Sequence, residues 1–224
     1  MNIQKLLMVV LSVLTTTSAD AKTNVIEQAS MDGLEKAVLD ELNVARTKPL
    51  KYVEYLKEHK RKFDGKVFVG PSGVRIATKE GIGAVDEAIG VLLKQKPLTA
   101  LKYVEGLSLA ARDHAEDTGP KGLTGHDGSD GSDADKRVKR YGEWEKTSGE
   151  NISYGFSDAR LIVLQLIIDD GVPGRGHRTN IFNKDFHVAG IACGQHRTFS
   201  NMCVIDFAGG YKDDRQAIRK RKVK

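Results

Sequence analysis

Three short stretches hold ionisable side chains between glycines and apolar residues. They are Thr124-Gly125-His126-Asp127, Gly149-Glu150-Asn151-Ile152, and Asp169-Asp170-Gly171 followed by Gly176-His177-Arg178-Thr179-Asn180-Ile181. Neutral imidazoles are good zinc ligands, and an open zinc site takes about three protein donors plus water, so His126 and His177 with one carboxylate meet that requirement. The carboxylates can instead bond the second nitrogen of each imidazole and fix its tautomer. A zinc-bound water with Glu150 as base would make the site a metal-dependent hydrolase. A polar network that only holds loops together uses the same residue types, and stays open at this level. Ser129, Ser132 and Ser148 lie close in sequence, but nothing marks any of them as a nucleophile. Asp127, Asp130, Asp133 and Asp135 lack the spacing of a calcium loop and read as a solvated loop. His114, His187 and His196 carry no assigned role.

The elements that must position these residues follow from periodicity. Leu34, Ala37, Val38, Leu42 and Ala45 recur at intervals of three and four, which predicts an amphipathic helix over 32–46. A second helix is expected over 50–59, and others over 81–94, 102–118 and 158–168, the last apolar on nearly every side. Extended segments are expected at 67–69, 74–76, 150–155, 188–192 and 204–207, and 122–142 reads as a Gly-, Ser- and Asp-rich loop. Helices flanking a terminal hairpin imply a sheet covered by helices.

The chain has 224 residues, 40% of them hydrophobic, enough for one good core. Its start has the parts of a secretory signal: Lys5, an apolar run over 6–14, and Ala19-Asp20-Ala21 before Lys22. Cleavage after Ala21 is expected, giving a signal peptide at 1–21 and a secreted or periplasmic protein. Asp20 inside the cleavage site leaves an uncleaved anchor as the alternative. Cys193 and Cys203 are the only cysteines, and an even pair in an exported chain reads as one disulfide stapling the terminal hairpin. Closing a loop of about 11 residues is worth roughly 2.8 kcal/mol in the chain-entropy model. The net charge of +5 becomes −1 without Arg215, Arg219, Lys220, Arg221, Lys222 and Lys224. The near-neutral body argues against a nucleic-acid partner. The basic tail at 212–224 reads as a solvated, disordered end, or as a contact for anionic surfaces.

Gly-Glu-Asn-Ile, an apolar helix, Gly-His-Arg-x-Asn-Ile and a terminal hairpin, in that order, resemble bacterial members of the CAP superfamily (cysteine-rich secretory, antigen 5 and pathogenesis-related proteins; the SCP domain). Asn43 and Arg46 are similar to that family's opening helix, and residues 107–115 to its second. The resemblance covers 32–56 and 102–211, so the domain is expected at 32–211 with an insertion at about 60–100 to which the family assigns no role. It implies an α+β fold, a three-layer α-β-α sandwich with a largely antiparallel central sheet. It also implies a cleft tetrad of His126, Glu150, Asp169 and His177, with Asp170 as the alternative acid one place away. His126 and His177 are then the metal pair, zinc the candidate ion, and the acids the orienting groups. Leu166 stands where a tryptophan is common. The expected role is an exported binding module for a lipid, an envelope component or an extracellular protein partner. A hydrolase or peptidase, or a surface-attached structural or virulence-related factor, are the alternatives.

Overall fold

A computed structural model describes residues 33–70 and 73–223; the signal peptide expected at 1–21 lies outside them. The first helix, α1 (Gly33–Thr47), buries Val38, Leu39, Leu42 and Ala45, the stripe its spacing predicts. Pro49 opens α2 (Pro49–Lys60) at a position where a missing N–H costs nothing. Tyr52, Val53, Leu56 and His59 form the buried face of α2.

The insertion is ordered. Strands β1 (Phe63–Asp64), β2 (Val67–Val69) and β3 (Arg75–Ala77) make a small antiparallel sheet in which Phe68 faces Ile76. Helix α3 (Ile82–Leu92) follows and buries Ala84, Val85, Ala88 and Leu92 in the main core.

The main sheet is built from β4 (Lys102–Tyr103), β5 (Gly142–Tyr154), β6 (Val188–His196) and β7 (Ser200–Asp213), in the order β4-β6-β7-β5. Only the β4–β6 pair is parallel. Successive residues of β7 point to opposite faces. Cys203, Ile205 and Phe207 join α1, α2, α3 and α6 (Ala159–Ile168) in one core, while Met202, Val204 and Ala208 pack on the side of α4 (Glu105–Thr118). The result is the expected α-β-α sandwich with a largely antiparallel sheet. Helix α4 lies so close to β6 that a Cβ on Gly190 would stand 2.1 Å from the Ser108 nitrogen, so glycine alone fits there. Cys193 and Cys203 face each other across β6 and β7 and are disulfide-bonded.

Several segments differ from expectation. Strand β5 begins at Gly142 rather than near 150, because residues 142–149 are polar and interrupted by an irregularity between Glu145 and Ser148, which hides any alternation. The 122–142 loop contains a short helix, α5 (Ala134–Val138), capped by Asp133. The basic tail is not a disordered end: it forms α8 (Arg215–Val223), after α7 (Gly176–Ile181) in chain order. Ile218 of α8 is buried, Arg221 pairs with Asp113 and Glu116, and Lys222 pairs with Glu105. Domain packing thus uses part of the charge expected to reach an anionic surface.

Candidate functional site

The site straddles β5, an edge strand of the main sheet. Glu150 and Asn151 are adjacent on that strand and so face opposite sides. Glu150 lies opposite Asp206 of β7, on the α4 side, with a side chain only 2% exposed. One of its oxygens, Oε1, is 2.7 Å from His126 Nδ1, and Oε2 accepts from Arg137 of α5 at 2.7 Å. Burial alone would raise the Glu150 carboxyl; the bond from His126 and the charge of Arg137 outweigh it and hold it below the usual carboxylate range. The same bond raises His126 above its ordinary value. Asp206, its cross-strand neighbour, is 1% exposed, and no donor from another residue reaches either of its oxygens, leaving Glu150 as the polar group it faces. Burial, with the charge of Glu150 opposite, pushes its pKa well above the ordinary value.

The loop carrying His126 is pinned by residues that sequence reasoning left without a role. His114 Nε2 donates to the Gly125 carbonyl at 2.9 Å, and His196 Nε2 donates to Leu123 at 2.9 Å. The Gly125 N–H donates to the Tyr154 hydroxyl at 3.1 Å. A carbonyl only accepts, so both of those Nε2 atoms carry the proton. Nothing local in the sequence signals these contacts, since each bridges separate elements.

On the other side of β5, Asn151 donates to the His177 carbonyl at 2.9 Å and accepts from Asn180 at 2.9 Å, tying α7 to the strand. Asp169 ends α6 in the left-handed conformation (φ 56°), which Asp tolerates better than most residues. That turn aims its carboxylate at α7. Oδ2 accepts from the His177 N–H at 2.9 Å, and Oδ1 lies 2.6 Å from His177 Nδ1. Asp170 points elsewhere: its oxygens accept from the Lys79 and Glu80 N–H groups at 2.6 and 2.8 Å. Of the two acids, Asp169 therefore pairs with His177, and Asp170 anchors the insertion. Glu80 returns the contact, accepting from the Gly171 N–H and from Arg175, each at 2.6 Å. Arg175 in turn donates to the Asp169 carbonyl at 2.7 Å. The hydrogen bond from Arg175, with that from Gly171, draws the Glu80 carboxyl down to about 2. Arg46 on α1 is fully buried and donates to the carbonyls of Ile181, Asn183 and Phe186, which fixes the chain leaving α7.

Two histidine–carboxylate pairs thus flank the strand, each bonded through Nδ1. Carboxylates only accept, so Nδ1 carries the proton, and Nε2 keeps its lone pair whenever the ring is neutral. The Glu150 and Asp169 carboxylates are already engaged, so of these pairs it is the two Nε2 atoms that a bound group would meet. No group of three His, Cys, Asp or Glu able to hold an ion occurs among the described residues. His126 and His177 also line a cavity of about 430 Å³, together with Asp169, Asp170 and a wall of apolar and aromatic side chains.

A helix-covered sheet with paired histidines and carboxylates at its edge defines a CAP-type domain. The chain belongs to the cysteine-rich secretory protein family (CAP), whose model matches residues 39–207. No match is found among curated proteins. Among solved structures, an outer surface protein of Borrelia burgdorferi is 18% identical with a TM-score of 0.42, covering 50% of this chain and 78% of that one. An extracellular SCP-domain protein of Bacillus anthracis is 17% identical with a TM-score of 0.40, covering 56% of this chain and 40% of that one.

Proposed function

We propose that this chain is an exported binding module that holds a small ligand in the cleft between its two histidine–carboxylate pairs and the insertion. The observation that carries this reading is the 430 Å³ cavity, whose lining combines the His126 and His177 imidazoles with apolar and aromatic side chains. Its size and its few convergent polar groups are those of a ligand site. Export agrees with the leader-like start of the sequence and with the disulfide. As a test, the ring signals of His126 and His177 are followed by NMR while lipids and envelope components are added, beside the His126→Ala/His177→Ala double variant. A ligand that shifts both rings and binds at least tenfold more weakly to the variant supports the reading. Ligands that bind both proteins equally would move the site away from the tetrad.

A zinc site is the second reading, favoured by the two Nε2 lone pairs. Calorimetric titration with zinc, on the same two proteins, should give binding that the double variant loses. Hydrolysis is less well supported. Glu150, the base that reaction would need, has one oxygen bonded to His126 and the other to Arg137, and its side chain is 2% exposed.

A further inference from the structure

The positive charge of the chain is not spread evenly. Residues 48–102 hold twelve Lys and Arg against six Asp and Glu. Within them the start of α2 and the end of α3 meet at one corner. The Leu98 N–H donates to the Arg46 carbonyl at 2.8 Å and Arg46 Nε donates to the Thr99 carbonyl at 3.0 Å, so the chain leaving α3 returns to the turn between α1 and α2. At the other end Lys60 of α2 pairs with Asp86 of α3 at 2.7 Å. The two helices therefore run antiparallel, which brings Leu50 to the same end as Val91 and Leu93.

All three are left in water: Leu50 is 61% exposed, Val91 39% and Leu93 56%. Lys48, Lys94 and Lys96 flank them, exposed, and no carboxylate among the described residues pairs with them. The reason lies in the sequence, which has no Asp or Glu between Glu41 and Glu54, nor between Glu87 and Glu105. The four acids that bound these stretches are all taken, Glu41 by Arg160, Glu54 by Lys51, Glu87 by Arg178 and Glu105 by Lys222. On the segment that Arg46 holds, Asp185 is paired with Lys146, and Lys184 is exposed. An exposed apolar cluster ringed by unpaired lysines fits a surface that is apolar within and anionic outside. An anionic bilayer has that profile: leucines enter the acyl boundary, and lysine stems follow them while the ammonium groups stay at the phosphates. A peptide partner would need a groove, and Leu50, Val91 and Leu93 line none of the four principal clefts.

We propose that this corner docks the protein on an anionic lipid bilayer, with Leu50, Val91 and Leu93 inserted and Lys48, Lys94 and Lys96 at the head groups. None of these six residues lines the cavity of the tetrad, so the surface acts independently of what the cavity holds.

Co-sedimentation with vesicles tests this, using phosphatidylcholine alone and an equimolar mixture of phosphatidylcholine and phosphatidylglycerol. The proteins are the wild type, Leu50→Ser/Leu93→Ser, Lys94→Glu/Lys96→Glu and His126→Ala/His177→Ala. Arg219→Glu/Lys220→Glu, on the exposed side of α8, is the control for an equal change of charge elsewhere. All are purified after export and share one N-terminus, so any contact made by residues before α1 is common to them. The substituted corner side chains are exposed, so the fold is kept, which thermal melts check. The wild type should bind the mixed vesicles at least tenfold more tightly than phosphatidylcholine alone. The serine pair and the corner glutamate pair should each lose at least tenfold on the mixed vesicles, while the α8 and histidine variants match the wild type. Equal binding of the wild type to both vesicles, corner variants that bind as the wild type does, or a loss confined to the α8 variant overturns the proposal. Soluble polyglutamate that binds as tightly as the mixed vesicles and ignores the serine pair would overturn it too, making the partner an acidic protein.

Discussion

Replacing Asp170 by alanine tests whether the two adjacent acids do different work. Asp170 accepts from two backbone N–H groups, those of Lys79 and Glu80, just ahead of α3, whereas Asp169 holds His177. Asp170→Ala removes both acceptors and leaves the two N–H groups to water. Loss of one comparable helix-cap contact costs about 1 kcal/mol, so losing this pair should cost about 1–2 kcal/mol. In a chain of this size each kcal/mol shifts Tm by roughly 2–4 °C, which gives a fall of roughly 2–8 °C by scanning calorimetry. Hydrogen exchange should localise the effect, with protection falling at Lys79, Glu80 and Gly171 because the Glu80 contact to Gly171 belongs to the same clamp. The His177 ring signals should stay in place, since Asp169 is untouched. Asp170→Asn keeps one acceptor oxygen and should lose about half as much. The reasoning fails if Asp170→Ala displaces the His177 signals while Lys79 and Glu80 keep their protection; Asp170 would then be the acid of the tetrad.

Three further outcomes follow from the titrating groups. Glu150→Gln removes the carboxylate that does most to raise His126, leaving burial and Arg137 opposed only by the charge of Asp127, so the His126 titration midpoint should fall; an unmoved midpoint would refute the pairing. Asp206 has a raised pKa when folded, so its contribution to stability is complete below pH 3.8 and is lost as pH rises. Asp206→Asn should therefore gain on the wild type as pH climbs from 4 to 8, and a Tm difference independent of pH would count against it. Burial lowers His59 from 6.5 to about 4, so stability present above pH 6.5 is lost as pH falls toward 4, by about 3 kcal/mol for the full shift. His59→Leu should flatten that part of the acid-denaturation curve, measured by urea titration at each pH.

What could be read from the sequence was what repeats along one element. The stripes of α1 and α4 were legible because burial of one helix face forces apolar residues to recur every three or four positions, and α6 because a helix buried on nearly every side is apolar throughout its length. The cysteine pair was legible because the hairpin it closes is local. Segments built from distant partners were not. The first half of β5 has no alternation, because an edge strand with an irregularity needs none; only its ladder with β7 makes it a strand. The tail reads as a solvated charge run until Ile218 is buried and Asp113, Glu105 and Glu116 neutralise its inner face. His114 and His196 showed no purpose, since each bonds a carbonyl on a loop contributed by another part of the chain. The insertion shows this most clearly. Its residues match no chemical motif, yet the Lys79 N–H donates to Asp170 across 91 positions, and Phe63, Phe68 and Ile76 line the same cavity as His126 and His177. The motifs carry the imidazoles of the cavity, while much of its apolar lining comes from a segment with no motif at all. The polar and the apolar lining of the cavity are thus encoded differently, one in short ordered motifs and the other in packing between residues far apart in sequence.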